Sequence, residues 1–130
     1  MRTASGDNII QYIRLHKRLD QLLTEFSEKT GMRRATACVW ILNRSVTELL
    51  ERIPIEELTA ESLNDMEIGA TYFIAPGRGT DGSNLGKGIR ITVERSFARK
   101  LDLIALMCGI PQGNLRCALI AEYFHTLGMI

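Results

Sequence analysis

The side chains best suited to chemistry in this chain do not gather into a reactive set. Cys38, Cys108 and Cys117 are its three cysteines, an odd number with no Cys-x-x-Cys pair, and neither His16 nor His125 stands at ligand spacing to them. A zinc site draws about four such ligands from closely spaced motifs, so no metal is expected and the thiols read as buried, reduced helix residues. No nucleophile stands beside a base and no carboxylate pair has a defined spacing, so neither catalysis nor a cofactor is expected. Gly77-Arg78-Gly79-Thr80-Asp81-Gly82 spells G-x-G-x-x-G, but a dinucleotide loop leads from a strand directly into a helix. Here Pro76 precedes the loop and a strand pattern follows it. Gly86-Lys87-Gly88 has Asp81 where a phosphate-binding loop needs glycine, and no Ser or Thr follows Lys87. What remains is a set of side chains able to donate and accept hydrogen bonds at a surface: Tyr12, Arg14, Arg90 and Thr92.

Those four residues share a period. In Gly88–Glu94, Ile89, Ile91 and Val93 alternate with Arg90, Thr92 and Glu94, the pattern of a strand with one buried face. Gln11–His16 alternates likewise, with Ile13 and Leu15 against Tyr12, Arg14 and His16, and Ile9-Ile10 extends it less regularly. Each strand is followed by helical spacing. Leu19, Leu22, Leu23 and Phe26 run to Gly31, and Phe97, Leu101, Ile104 and Ala105 run to Gly109, where glycine suits a left-handed helix end. A second helix follows in each case: about Arg33 to Arg52, stopped by Pro54, and one marked by Leu115, Leu119, Ile120 and Phe124. Phe97, Tyr123 and Phe124 fall at core spacing. Trp40 reads as packing between the two halves or against the connection, rather than as a base-stacking residue.

One offset, 78, carries the first half onto the second without a gap: Ile13 to Ile91, Leu15 to Val93, Leu19 to Phe97, Leu23 to Leu101, Phe26 to Ile104, Gly31 to Gly109, Ile41 to Leu119 and Val46 to Phe124. This reads as an internal duplication, with units at 1–52 and 87–130 joined by a connection at 53–86. A unit of about 40 residues is short for a core of its own, so the copies are expected to share one. In the connection, Pro54 to Met66 reads as a short acidic helix and Thr71–Ala75 as a short strand or buried extended segment, followed by a glycine-rich loop.

Length and charge narrow the class. With 130 residues, 45% apolar and 24% charged, the chain has the make-up of a soluble domain; no apolar run reaches the ~20 residues of a membrane span. No leader-type apolar core follows the N-terminus, so a cytoplasmic location and no membrane contact are expected. The net charge of +1 conceals a pattern: +4 over 1–44, −6 over 45–76 and +3 over 77–130. Basic ends suit a polyanion.

Strand, helix, glycine turn and helix in some 40 residues resembles the ribbon-helix-helix family of DNA-binding proteins, the class of the Arc and MetJ repressors. Ile89–Val93 looks like the family's strand, Leu101-Asp102 with Gly109-Ile110-Pro111 like its first helix and turn, and Ile120–Phe124 like the end of its second helix. The resemblance covers about 9–50 and 88–127. A tandem form in one chain is similar to the TraY proteins of conjugative plasmids. It implies a mainly α fold with a short two-stranded antiparallel β-ribbon, two repeats forming a pseudo-dimer, and a sequence-specific double-stranded DNA-binding protein: a transcriptional regulator, often a repressor, or a relaxosome accessory factor. It further implies base contacts by Tyr12, Arg14, Arg90 and Thr92, and phosphate contacts at the start of each second helix, by Arg33, Arg34, Gln112 and Gly113. Neither turn has the usual Ser or Thr there, and Pro111 lacks an N–H. Because the halves differ, a ribbon formed within one chain is expected to read an asymmetric site, with self-association on DNA as a further partner. The rival expectation is a protein-binding module, an antitoxin or scaffold, that works through residues 70–76.

Overall fold

The computed structural model describes residues 7–65 and 85–130. The expected extended segment 71–75, the partner segment 70–76 and the glycine-rich loop lie outside the described residues. Strand β1, Asn8–His16, and strand β2, Leu85–Glu94, pair antiparallel as a two-stranded sheet. A lone strand leaves its backbone N–H and C=O groups unpaired, and a second strand supplies the missing partners. Tyr12 stands opposite Arg90, Ile13 opposite Ile89, Ile10 opposite Thr92 and Arg14 opposite Gly88, with a bulge between Arg14 and His16. Both strands exceed their expected limits, β1 starting at Asn8 and β2 at Leu85. At the open end of the ribbon the Arg95 N–H donates to the Asp7 carbonyl at 2.7 Å.

Each strand runs straight into a helix: α1, Lys17–Thr30, after β1, and α3, Arg95–Cys108, after β2. His16 caps α1, its Nδ1 accepting from the Arg18 N–H at 3.1 Å. Gly31 and Gly109 end α1 and α3 in the left-handed region, at φ 75° and 70°. Helices α2, Arg34–Arg52, and α4, Gln112–Thr126, follow.

The inner faces of the ribbon rest on all four helices in one core. It joins Ile13, Leu15, Ile89, Ile91 and Val93 to Leu19, Leu23, Ile41, Leu101, Leu119 and Phe124. Burying such side chains is worth about 1.5–3 kcal/mol each, and neither half holds enough of them alone. Helices α2 and α4 cross in its middle, where the Ser45 hydroxyl donates to the Leu119 carbonyl at 3.1 Å. Trp40 stacks on Phe26 with ring centroids 6.0 Å apart and meets Tyr123 edge-on at 5.7 Å, so it does pack between the halves. Phe97 and Phe124 are buried, whereas Tyr123 is half-buried.

The start of the connection differs from expectation. In place of an acidic helix from Pro54 there are two short 3-10 turns, Ile55–Glu57 and Ser62–Asp65. Leu58 and Leu63 enter the shared core, so the first part of this segment packs as structure. Glu56, Glu57 and Glu61 are exposed around them; Leu58 and Leu63, five positions apart, would lie about 140° apart around a regular helix, whereas separate tight turns let both reach the core. Among the described residues, no single helix is long and apolar enough to cross a membrane.

Candidate nucleic-acid interface

Strand alternation sends every second residue away from the helices. On β1 these are Ile10, Tyr12 and Arg14; on β2 they are Gly88, Arg90 and Thr92, and all six are exposed. Tyr12 keeps 70% and Ile10 52% of its surface in solvent, unusual openness for large apolar side chains on a packed sheet. The four expected base-reading residues therefore share one face, with Tyr12 and Arg90 directly opposed at its centre. Arg14 is oriented by its Nε, which donates to the Gly86 carbonyl at 3.2 Å. Gly86 itself has no room for a side chain, since a Cβ there would lie 2.7 Å from Asp20.

The expected phosphate-binding residues divide. Arg33 is the exposed cap residue of α2. Arg34 is half-buried and forms an ion pair with Asp20 of α1, and its Nε is buried with no hydrogen-bond partner. At the start of α4, the Gln112 amide donates to Asp102 and its oxygen accepts from Arg116. Gly113 is exposed, with open space on its Cβ side. No side chain caps α2 or α4, which leaves the first-turn amides without a side-chain acceptor and available to an anion. Arg116 turns inward, where desolvation lowers its pKa.

Three residues on or beside this face were missed in the sequence. Ile10 has the parity of Tyr12 and Arg14 but an apolar side chain that reads as core. Thr36 and Asn43 line a groove of about 540 Å³ between α2 and β2, together with Val39, Trp40, Arg90 and Thr92. Their i, i+7 spacing on one helix face was legible; that this face borders the ribbon depends on tertiary packing.

The rest of the molecule has a different character. The second half of α2 and the end of α4 line a groove of about 340 Å³ that carries Glu48, Glu51 and Glu122 over Leu49, Leu119 and Tyr123. The cysteines are free and buried, as the sequence implies. Burial pushes the Cys38 thiol up to about 12, against a smaller pull downward from Arg116 and Arg34, and raises Cys117 and Cys108. Among the described residues, no cluster of three or more metal-ligating side chains occurs.

No protein-family model, curated protein or solved structure matches the chain. Its function is therefore argued from the ribbon and what surrounds it.

Proposed function

We propose that this chain is a sequence-specific double-stranded DNA-binding protein, two ribbon-helix-helix repeats forming a pseudo-dimer within one chain. It acts as a transcriptional regulator, or as a TraY-like accessory factor at a transfer origin. The observation that carries the reading is the register. Tyr12 and Arg90 are related by the duplication offset of 78 and are also opposed in the ribbon, so a pseudo-twofold axis passes between them. An antiparallel pair of equivalent strands from two copies of one unit has this property.

Size and charge support it. Strands lie about 4.8 Å apart, so a two-stranded ribbon enters a major groove about 12 Å wide, where each base pair has its own donor and acceptor pattern. Arg14 and Arg90 project from the face that would enter, while the carboxylates of the α2–α4 groove lie on the second half of α2 and on the end of α4.

The test is duplex binding by the full chain at physiological salt, measured by footprinting on genomic fragments and by titration of a protected site. Replacing Arg14 and Arg90 together by Ala is expected to weaken binding at least ~30-fold, on the scale of ~1–3 kcal/mol per bidentate contact, with the helical circular dichroism unchanged. Selective binding retained by that double variant overturns the proposal.

A further inference from the structure

We infer that the ribbon reads its site with a fixed polarity: Ile10 and Thr92 form an end that recognises thymine methyls, and Arg14 opposite Gly88 forms an end that recognises guanine. This rests on the DNA-binding function proposed above and adds which base belongs to which end.

Three rungs occupy the centre of the outer face, Ile10 with Thr92, Tyr12 with Arg90, and Arg14 with Gly88, and a fourth, Asn8 with Glu94, lies beyond the Ile10 rung. The pseudo-twofold axis passes through the middle rung, so the outer two occupy equivalent places. They are chemically unlike. Ile10 and Thr92 put two β-branched, methyl-bearing side chains side by side, both exposed. The methyl of thymine is the apolar feature of the major groove, and apolar side chains contact it there. An exposed Ile beside a Thr hydroxyl supplies that contact together with one hydrogen-bonding group.

The third rung is the reverse. Gly88 has no side chain, and a Cβ built on it would meet only Arg14 Cγ and the Ile13 carbonyl, each at 3.9 Å, so a base edge can approach Arg14 across Gly88. The Nε hydrogen bond to Gly86 leaves the two terminal nitrogens of the guanidinium for guanine O6 and N7. It also limits the freedom lost on binding, because a planar fork held beforehand is already oriented. Beyond this rung lies the Asp20–Arg34 pair, with Asp20 against Gly86, and Lys17 and Arg18 follow β1 on the surface. Beyond the Ile10 rung, Asp7 and Glu94 share a pocket with Arg95 and Arg99. Surroundings that are mainly basic at one end and mixed at the other orient the molecule in the same sense as the bases.

The outer rungs are four residues apart, or about 13 Å along a strand, close to four base-pair steps of ~3.4 Å. The expected site therefore carries thymine at one end and guanine about four base pairs away, without palindromic symmetry across the ribbon.

The experiment is selection of bound duplexes from a randomised library by the full chain, followed by titration of the selected duplex. Wild type should enrich the asymmetric thymine–guanine arrangement. Deoxyuridine in place of the terminal thymine should weaken wild type about fourfold, the worth of one buried methyl, and should leave Ile10→Ala unaffected. Arg14→Ala should lose the guanine preference, by ~5-fold to ~150-fold, and keep the thymine preference. Thr92→Arg places arginine at both outer rungs and should shift the selected site toward guanine at both ends. A palindromic wild-type consensus, or thymine and guanine preferences that ignore these substitutions, overturns the polarity while leaving DNA binding intact. No enrichment of any duplex removes both this inference and the function beneath it.

Discussion

Helix α2 and helix α4 each begin just after a left-handed glycine, each lack a side-chain cap, and each run through the middle of the core. Their first turns nevertheless differ. The α2 start displays Arg33 to solvent and holds Arg34 against Asp20, whereas the α4 start has Pro111 and a Gln112 engaged by Asp102 and Arg116. The same backbone plan thus yields one cationic helix start and one nearly neutral start. A further contrast lies inside the core, where Val46 and Phe124 stand at matched positions, both buried. What the difference teaches is that two strand–helix–helix segments need share only apolar periodicity to pack alike, while their surfaces are free to differ.

The largest expected effect tests the core half of this comparison. Phe124 is fully buried and meets Phe26 at 6.1 Å, so Phe124→Ala should lower unfolding free energy by about 3–5 kcal/mol in urea titrations. Val46→Ala, at the matched position, should cost about half as much, having fewer carbons to lose. Equal costs would mean that the two positions are packed alike despite their size. Next comes the ribbon. Arg90→Ala alone should cost about 1–3 kcal/mol of specific DNA affinity, with an unchanged urea midpoint because the side chain is exposed.

An effect of similar size is set by pH. Unfolded thiols ionise near 9, whereas folded Cys38 stays protonated up to about 12. The stabilisation is whole below 9 and falls as pH rises, by about 1.4 kcal/mol per unit for this thiol. Urea midpoints between pH 9 and 11 should therefore decline, and decline less steeply in Cys38→Ala; an equal slope would assign the loss to other groups. The smallest effect addresses the helix starts. Arg33→Ala should reduce the salt dependence of DNA binding by about one phosphate's worth, and Gln112→Ala should leave it unchanged. The reverse result would move the backbone contact to α4.

Much of the fold was legible because it is written in local period. Alternation around Tyr12 and Arg90 separated wet from dry residues correctly, since strand geometry leaves no other option, and Gly31 and Gly109 end their helices where the stripes stop. The connection was misread at Pro54–Met66 because acidic spacing resembles helix spacing while giving no hint that Leu58 and Leu63 would be drawn into the core. The face of α2 bearing Thr36 and Asn43 was visible as a stripe but not as a neighbour of β2.

By itself, the amino-acid order determined periodicity, helix ends, the burial of the thiols and the apolar set that any fold had to cover. Only tertiary structure decided that Ile13 stands opposite Ile89, that Arg34 is taken up by Asp20 while Arg33 is left exposed, and that Ile10 has Thr92 as its cross-strand neighbour. The physical reason is range. Backbone geometry imposes a repeat on each segment independently, whereas the choice among partners is a competition between groups distant in sequence, settled when the whole core closes.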